Sequence, residues 1–282
     1  MIGLCFPGQG IPETELADAL ARLGDDRVAP LLSALCAATL GELDLTDTRV
    51  VQPAILTLSL AGARATPRPD IGLVLGHSFG EISALACAGA LSDVDALRMA
   101  VTRGELCRRQ ARQRGGAMVA VLGLVPTEIE WLRRRVLGAL PGAQLEVAAV
   151  NGPRQIVLSG DRPAVRSIAE DVVARAAEAR ILPIDGAFHS QHMAGAVREW
   201  AKFLDAVEIR EARVPFVSST EVRVATTPSD IRRALVRALV LPVRFTEALD
   251  LAAAHGVRTM TDCGPGKVLE KLVRRHGGFT VR

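Results

Sequence analysis

Tyrosine is absent from this chain, and aromatic residues make up only 3% of it. A surface that reads nucleic acid needs aromatic platforms for base stacking, so nucleic acid is not an expected partner. Cysteine is scarce as well. The five present, Cys5, Cys36, Cys87, Cys107 and Cys263, are odd in number and form no C-x-x-C. That pattern argues against a disulfide framework or a zinc site, and the five read as small buried hydrophobes in a reducing cytosol. Long apolar runs are also missing. Met1–Phe6 is apolar but stops at Pro7-Gly8-Gln9-Gly10. Six residues are too few for a signal sequence or a membrane span, so the chain reads as soluble and cytoplasmic with no membrane partner. Charge is nearly balanced, with 34 Lys and Arg against 31 Asp and Glu. Arginines cluster at 108, 109, 112 and 114, at 133–135, and at 232, 233 and 237. Such runs read first as solvated helix faces, and second as docking sites for an acidic protein.

What is present is a chain of 282 residues, 49% hydrophobic, long enough for one large domain or a domain carrying an insertion. Ile2–Phe6 and Ile71–Leu75 read as short buried strands. Helical patterns run to about Leu43, and Gln52-Pro53-Ala54 reads as the opening of a further helix with Pro53 in its first turn. In the middle the rhythm changes. Ala117–Leu124 reads as a strand, Pro126–Leu140 as a helix, and Leu145–Val150 and Gln155–Ser159 as strands around Asn151-Gly152-Pro153. Arg162–Glu178 follows as a helix and Ala179–Ile184 as a strand. This β-α-β-β-α-β order is ferredoxin-like. The expected fold is therefore α/β, with a large parallel-sheet domain over residues 1–116 and 186–282 and an inserted small subdomain over 117–185. Val214–Ser218 and Thr259–Cys263 are further strands, and Ser229–Val240 is a helix.

The sharpest local signal is Gly76-His77-Ser78-Phe79-Gly80, a G-x-S-x-G at a strand-to-helix corner, with Glu81–Ala90 read as the helix. Glycines let the backbone turn sharply enough to expose the serine hydroxyl, and the helix N-terminus behind it favours a developing oxyanion. The backbone N–H of Phe79 is one donor for that oxyanion. A serine needs a base. His77 adjoins Ser78 and projects away from it. His189, in Ala187-Phe188-His189-Ser190, lies where a loop reaches back over the nucleophile, and His192 stays open on spacing alone. A third member could be Asp161 or Asp185, and a Ser–His dyad held by backbone carbonyls is equally compatible.

Eight short motifs, in order, carry a resemblance. They are Phe6-Pro7-Gly8-Gln9-Gly10, Gln52-Pro53-Ala54, Gly76–Glu81, Arg103-Gly104, Asn151-Gly152-Pro153, Ala187–Ser190, Pro242-Val243-Arg244-Phe245 and Gly264–Leu269. Together they resemble the malonyl-CoA:acyl carrier protein transacylase family, which includes the acyltransferase domains of polyketide synthases. The resemblance runs end to end and implies an α/β-hydrolase-like large domain. It implies Ser78 as nucleophile, His189 as base, and the backbone N–H of Gln9 as the oxyanion donor that joins Phe79. It implies Arg103 as the residue that pairs with the free carboxylate of a malonyl group, where a planar guanidinium suits a carboxylate. Asn151 corresponds to an asparagine near the cleft. Phe188 resembles malonyl-selective members, whereas methylmalonyl-selective ones tend to carry serine there. Coenzyme A thioester and acyl carrier protein are the implied partners, and no metal or redox cofactor is implied.

The departures concern acyl and carrier specificity. Ile11-Pro12 replaces the usual Ser-Gln, the segment before Gln52 is short, and Cys107 replaces a common methionine. Ala238 stands where many members have a glutamine whose backbone carbonyl orients the histidine, and Ala238 can supply the same carbonyl. A serine thioesterase or hydrolase would share the nucleophile but has no use for Arg103. A non-catalytic assembly subunit would have no need to keep Ser78, His189, Gln9 and Arg103 together. Transfer of an unusual acyl group between two carrier proteins is the remaining alternative.

Overall fold

A computed structural model describes residues 1–66 and 71–282. The chain opens with β1 (Ile2–Phe6), α1 (Glu13–Ala21), α2 (Asp25–Ala34), α3 (Thr48–Ala65), β2 (Ile71–Gly76), α4 (Gly80–Cys87) and α5 (Asp93–Arg114). Next come β3 (Ala117–Leu122), α6 (Pro126–Ala139), β4 (Leu145–Gly152), β5 (Gln155–Gly160), α7 (Arg162–Val173) and β6 (Glu178–Ile181). The rest is α8 (Ala194–Asp205), β7 (Phe216–Ser218), β8 (Arg223–Ala225), α9 (Pro228–Arg237), β9 (Val243–Arg244), α10 (Phe245–Ala254), β10 (Thr259–Asp262), α11 (Val268–His276) and β11 (Thr280–Val281).

Two sheets result. The larger has the order β11-β10-β1-β2-β7-β8, parallel except for β8. Its central strands are apolar almost throughout, as strands buried on both faces must be. The smaller has the order β6-β3-β5-β4-β9. Its first four strands pair antiparallel in the ferredoxin-like order, while β9 joins β4 in parallel from far along the chain. The small sheet is thus not built from residues 117–185 alone.

Side-chain alternation gives the small sheet two different faces. Val119 and Val121 of β3, with Ile156 and Leu158 of β5, pack against Ile129, Leu132, Ile168 and Val172 of α6 and α7. Met118, Ala120 and Val157 point the other way, into a cleft shared with the large sheet. A register shift between Val147 and Ala149 of β4 places Ala148 and Ala149 together on that cleft.

Several boundaries differ from those expected. Helix α3 starts at Thr48, because the Asp47 carboxylate caps it by accepting from the Arg49 N–H at 2.9 Å. Pro53 therefore lies inside the helix. Helix α7 stops at Val173: Ala176 takes a left-handed φ of 56°, and the chain then enters β6 earlier than expected. Helix α9 ends at Arg237, capped at its start by Thr227. The arginine runs meet carboxylates. Arg133 and Arg134 pair with Glu130, Arg108 with Asp47 and Asp185, and Arg233 and Arg237 with Glu221. Among the described residues no helix is long and apolar enough to cross a membrane.

Candidate active site

Ser78 sits at the corner between β2 and α4 with a φ of 56°, a conformation forced on a residue with a Cβ. Close packing holds the corner in place. A Cβ on Gly80 would overlap the Phe6 carbonyl oxygen, so α4 lies directly behind β1 only because residue 80 is glycine. The Ser78 hydroxyl is thereby lifted into a cleft of about 470 Å³ between the two sheets.

His189 meets it there. The Ser78 Oγ lies 2.6 Å from His189 Nε2. On its other side, His189 Nδ1 donates to the Leu241 carbonyl at 2.9 Å. A carbonyl only accepts, so Nδ1 carries the hydrogen and Nε2 is left to accept from Ser78. His189 is 5% exposed, and its own φ is 56°. Burial, reinforced by the positive charge of Arg103, pushes its pKa down to about 3. The ring is therefore neutral at physiological pH, with Nε2 unprotonated and facing Ser78.

The other histidine and acid candidates are engaged elsewhere. His192 Nε2 pairs with Asp161 at 2.9 Å, while Asp185 pairs with Arg108 and Arg162. A backbone carbonyl, not a carboxylate, completes the set. Leu241 supplies it, with a smaller contribution from Ala238, the residue expected from sequence.

The turn carrying Gln9 lies against the nucleophile. A Cβ on Gly8 would stand 3.2 Å from the Ser78 Cβ and 3.6 Å from the Phe79 nitrogen. Among the described residues, neither the Gln9 nor the Phe79 backbone N–H donates to another protein group. Two open donors beside one nucleophile suit a developing oxyanion.

Arg103, on α5, lines the same cleft and is 6% exposed. Its Nη1 donates to Gln52 Oε1 at 2.9 Å, and its guanidinium lies 5.8 Å from the centroid of the Phe79 ring. Phe188 is buried and also lines the cleft. Asn151 lines it too, but its Oδ1 is occupied by the His77 Nε2 at 2.7 Å. This bond holds the His77 ring, which lies edge-on to Phe245.

Sequence reasoning assigned no role to Glu81. This buried side chain accepts from the Ser219 N–H at 2.7 Å and from the hydroxyls of Ser219 and Ser218 at 2.9 and 3.2 Å, all on Oε1. Oε2 has no hydrogen-bond partner among the described residues, and burial pushes the pKa up to about 7. No cluster of three or more His, Cys, Asp or Glu able to hold a metal occurs among the described residues.

A strained serine, a neutral histidine, two open N–H donors and a buried arginine share one cleft, an arrangement whose chemistry suits acyl transfer. Residues 18–277 match the acyl transferase domain family, and the chain belongs to it. It is 35% identical over 287 residues to the malonyl CoA-acyl carrier protein transacylase of Bacillus subtilis, covering 97% of this chain and 90% of that one. Among solved structures, the malonyl CoA-acyl carrier protein transacylase of Coxiella burnetii superposes with a TM-score of 0.87 at 28% identity, covering 99% of this chain and 92% of that one. A malonyl-transacylase solved in complex with its type II polyketide synthase acyl-carrier protein gives 0.89 at 29% identity, covering 99% and 94%.

Proposed function

We propose that this enzyme moves a malonyl group from coenzyme A to the phosphopantetheine thiol of an acyl carrier protein, through a malonyl ester on Ser78. The observation that carries this reading is the placing of Arg103, buried in the cleft that holds the Ser78–His189 pair. A simple hydrolase gains nothing from a desolvated guanidinium there, whereas a carboxyacyl group gains a charge partner.

His189 Nε2 takes the proton from Ser78 as Oγ bonds to the thioester carbon. The carbonyl oxygen becomes an oxyanion between the N–H groups of Gln9 and Phe79, where each donor is worth about 10²–10³ in rate. The C–S bond then breaks, and the coenzyme A sulfur leaves with the proton from His189. In the second half the carrier thiol gives its proton to His189 and attacks the ester, and Ser78 leaves with that proton. These residues supply nucleophile, base and oxyanion donors, and the reaction calls for no metal or redox cofactor. Phe188 crowds the acyl α-carbon and disfavours a methyl branch, an effect of about 1–3 kcal/mol. The odd cysteine count without C-x-x-C supports a cytoplasmic setting.

Arg103→Ala tests the reading through paired substrates. Malonyl transfer should lose roughly 2–5 kcal/mol in kcat/KM, the scale of a truncated buried charge pair. Acetyl transfer shares the thioester chemistry and lacks the carboxylate, so it should fall far less. Equal losses would make Arg103 structural and would favour an acyl group without a free carboxylate.

A further inference from the structure

The Gln52-Pro53-Ala54 motif takes no part in the steps above, yet Gln52 is fully buried between the two ends of the site. Its Oε1 accepts from Arg103 at 2.9 Å, and its Nε2 donates to Gln9 Oε1 at 3.1 Å and to Thr48 Oγ1 at 2.9 Å. The Thr48 hydroxyl in turn donates to the same Gln9 Oε1 at 2.8 Å. The direction of this chain is fixed. An arginine can only donate, so Gln52 must turn its carbonyl to Arg103 and its NH₂ to Gln9 and Thr48. Gln9 is the residue whose backbone N–H faces the oxyanion.

We propose that Gln52 is a positioning residue that couples recognition of the acyl carboxylate at Arg103 to the placing of the Gln9 oxyanion donor. The proposal rests on the malonyl-serine mechanism above and adds to it a reason for acyl selectivity in the chemical step. Thr48 and Gln52 are one turn apart on α3, so one helix face presents both to Gln9. Gly104 brings the arginine to them. A Cβ there would stand 2.8 Å from the Arg49 Cα and 3.0 Å from the Thr48 carbonyl oxygen, so α5 reaches α3 this closely only with glycine next to Arg103. Arg103 gives Gln52 only Nη1, which leaves its remaining N–H groups for a carboxylate. A malonyl carboxylate held there pins the guanidinium, the guanidinium pins the Gln52 amide, and the amide pins Gln9. An acetyl group leaves Arg103 unpinned and the chain looser.

Gln52→Met removes the hydrogen bonds at nearly constant volume. The expected result is a loss in kcat that is about tenfold larger for malonyl-CoA than for acetyl-CoA, since a misplacement of about 1 Å at a reacting centre costs up to about 10²-fold. In an Arg103→Ala background the excess loss for malonyl should vanish. Equal losses for the two acyl groups, or an excess that survives in that background, would overturn the coupling. Gln52→Glu provides a second reading and decides the matter if the methionine variant does not fold. It places a carboxylate on Arg103 that competes with the substrate's, so KM for malonyl-CoA should rise about tenfold while KM for acetyl-CoA stays level. An unchanged malonyl KM would contradict the proposal. Malonylation of wild-type Ser78 is measured in the same series. An unlabelled wild type would overturn the mechanism and the proposal together, whereas a labelled wild type with equal losses in the variants would overturn the coupling alone.

Discussion

His189 shows how far an environment moves one residue. An imidazole in water carries a charge below about pH 6.5. Here burial and the nearby Arg103 charge hold the pKa near 3, and the carbonyls of Leu241 and Ala238 act in the other direction. A depressed histidine pKa means that the basic form is lost only as pH falls through that low value. The single-turnover rate of Ser78 acylation should therefore be flat between about pH 5 and pH 8. An acid limb near pH 6.5, present in wild type and in Glu81→Gln alike, would show that His189 titrates normally in the working enzyme. Spacing alone left His192 open beside His189, whose role came from the family resemblance, but the strained turn at Ser78 was legible in the sequence for a physical reason: such a turn needs glycines beside its serine, and glycines leave a pattern. The partner of His189 was not. Asp161 and Asp185 looked like candidates because a carboxylate is visible in a sequence, but they pair with His192 and with Arg108 and Arg162. The carbonyl of Leu241 leaves no trace, since every residue has one.

Among elements, the joint between α4 and the end of β7 carries a buried acidic side chain. Glu81, in the first turn of α4, holds the backbone and hydroxyl of Ser219 and the hydroxyl of Ser218 through one oxygen. The Ser219 carbonyl then accepts from the Arg244 N–H at 2.7 Å, three residues beyond Leu241. The joint thus ties the helix that follows Ser78 to the segment that orients His189. A carboxyl raised to about 7 from its ordinary 4.5 binds a proton more tightly in the folded state than in the unfolded state. Its linkage therefore lowers stability as pH rises from about 4.5 to 7, by at most roughly 3 kcal/mol. Urea unfolding should show wild type losing ground to Glu81→Gln over that window, and parallel curves would contradict the assignment. Helix and strand types were legible at this scale, whereas several boundaries were not. The start of α3 turns on whether Asp47 caps, and the end of α7 on a left-handed alanine, Ala176, which no propensity favours. β9 is two residues long and pairs with β4 across about a hundred residues of chain, a contact that short-range patterns do not encode.

At the scale of the whole molecule, the two sheets divide the work. The large sheet presents Ser78 at the end of β2, and the small sheet closes over it with Met118, Ala120, Ala148, Ala149 and Val157. That apolar roof lowers the dielectric around Arg103 and His189. The proposed mechanism consists of two separable half-reactions sharing one covalent intermediate. Intact-protein mass spectrometry tests this most directly: the enzyme is exposed to malonyl-CoA alone, freed of small molecules, weighed, and weighed again after addition of an acyl carrier protein bearing its phosphopantetheine thiol. The account predicts a single malonyl adduct on Ser78 that passes to the carrier and is absent from Ser78→Ala. Transfer without any covalent adduct, or an adduct that persists in Ser78→Ala, would contradict it.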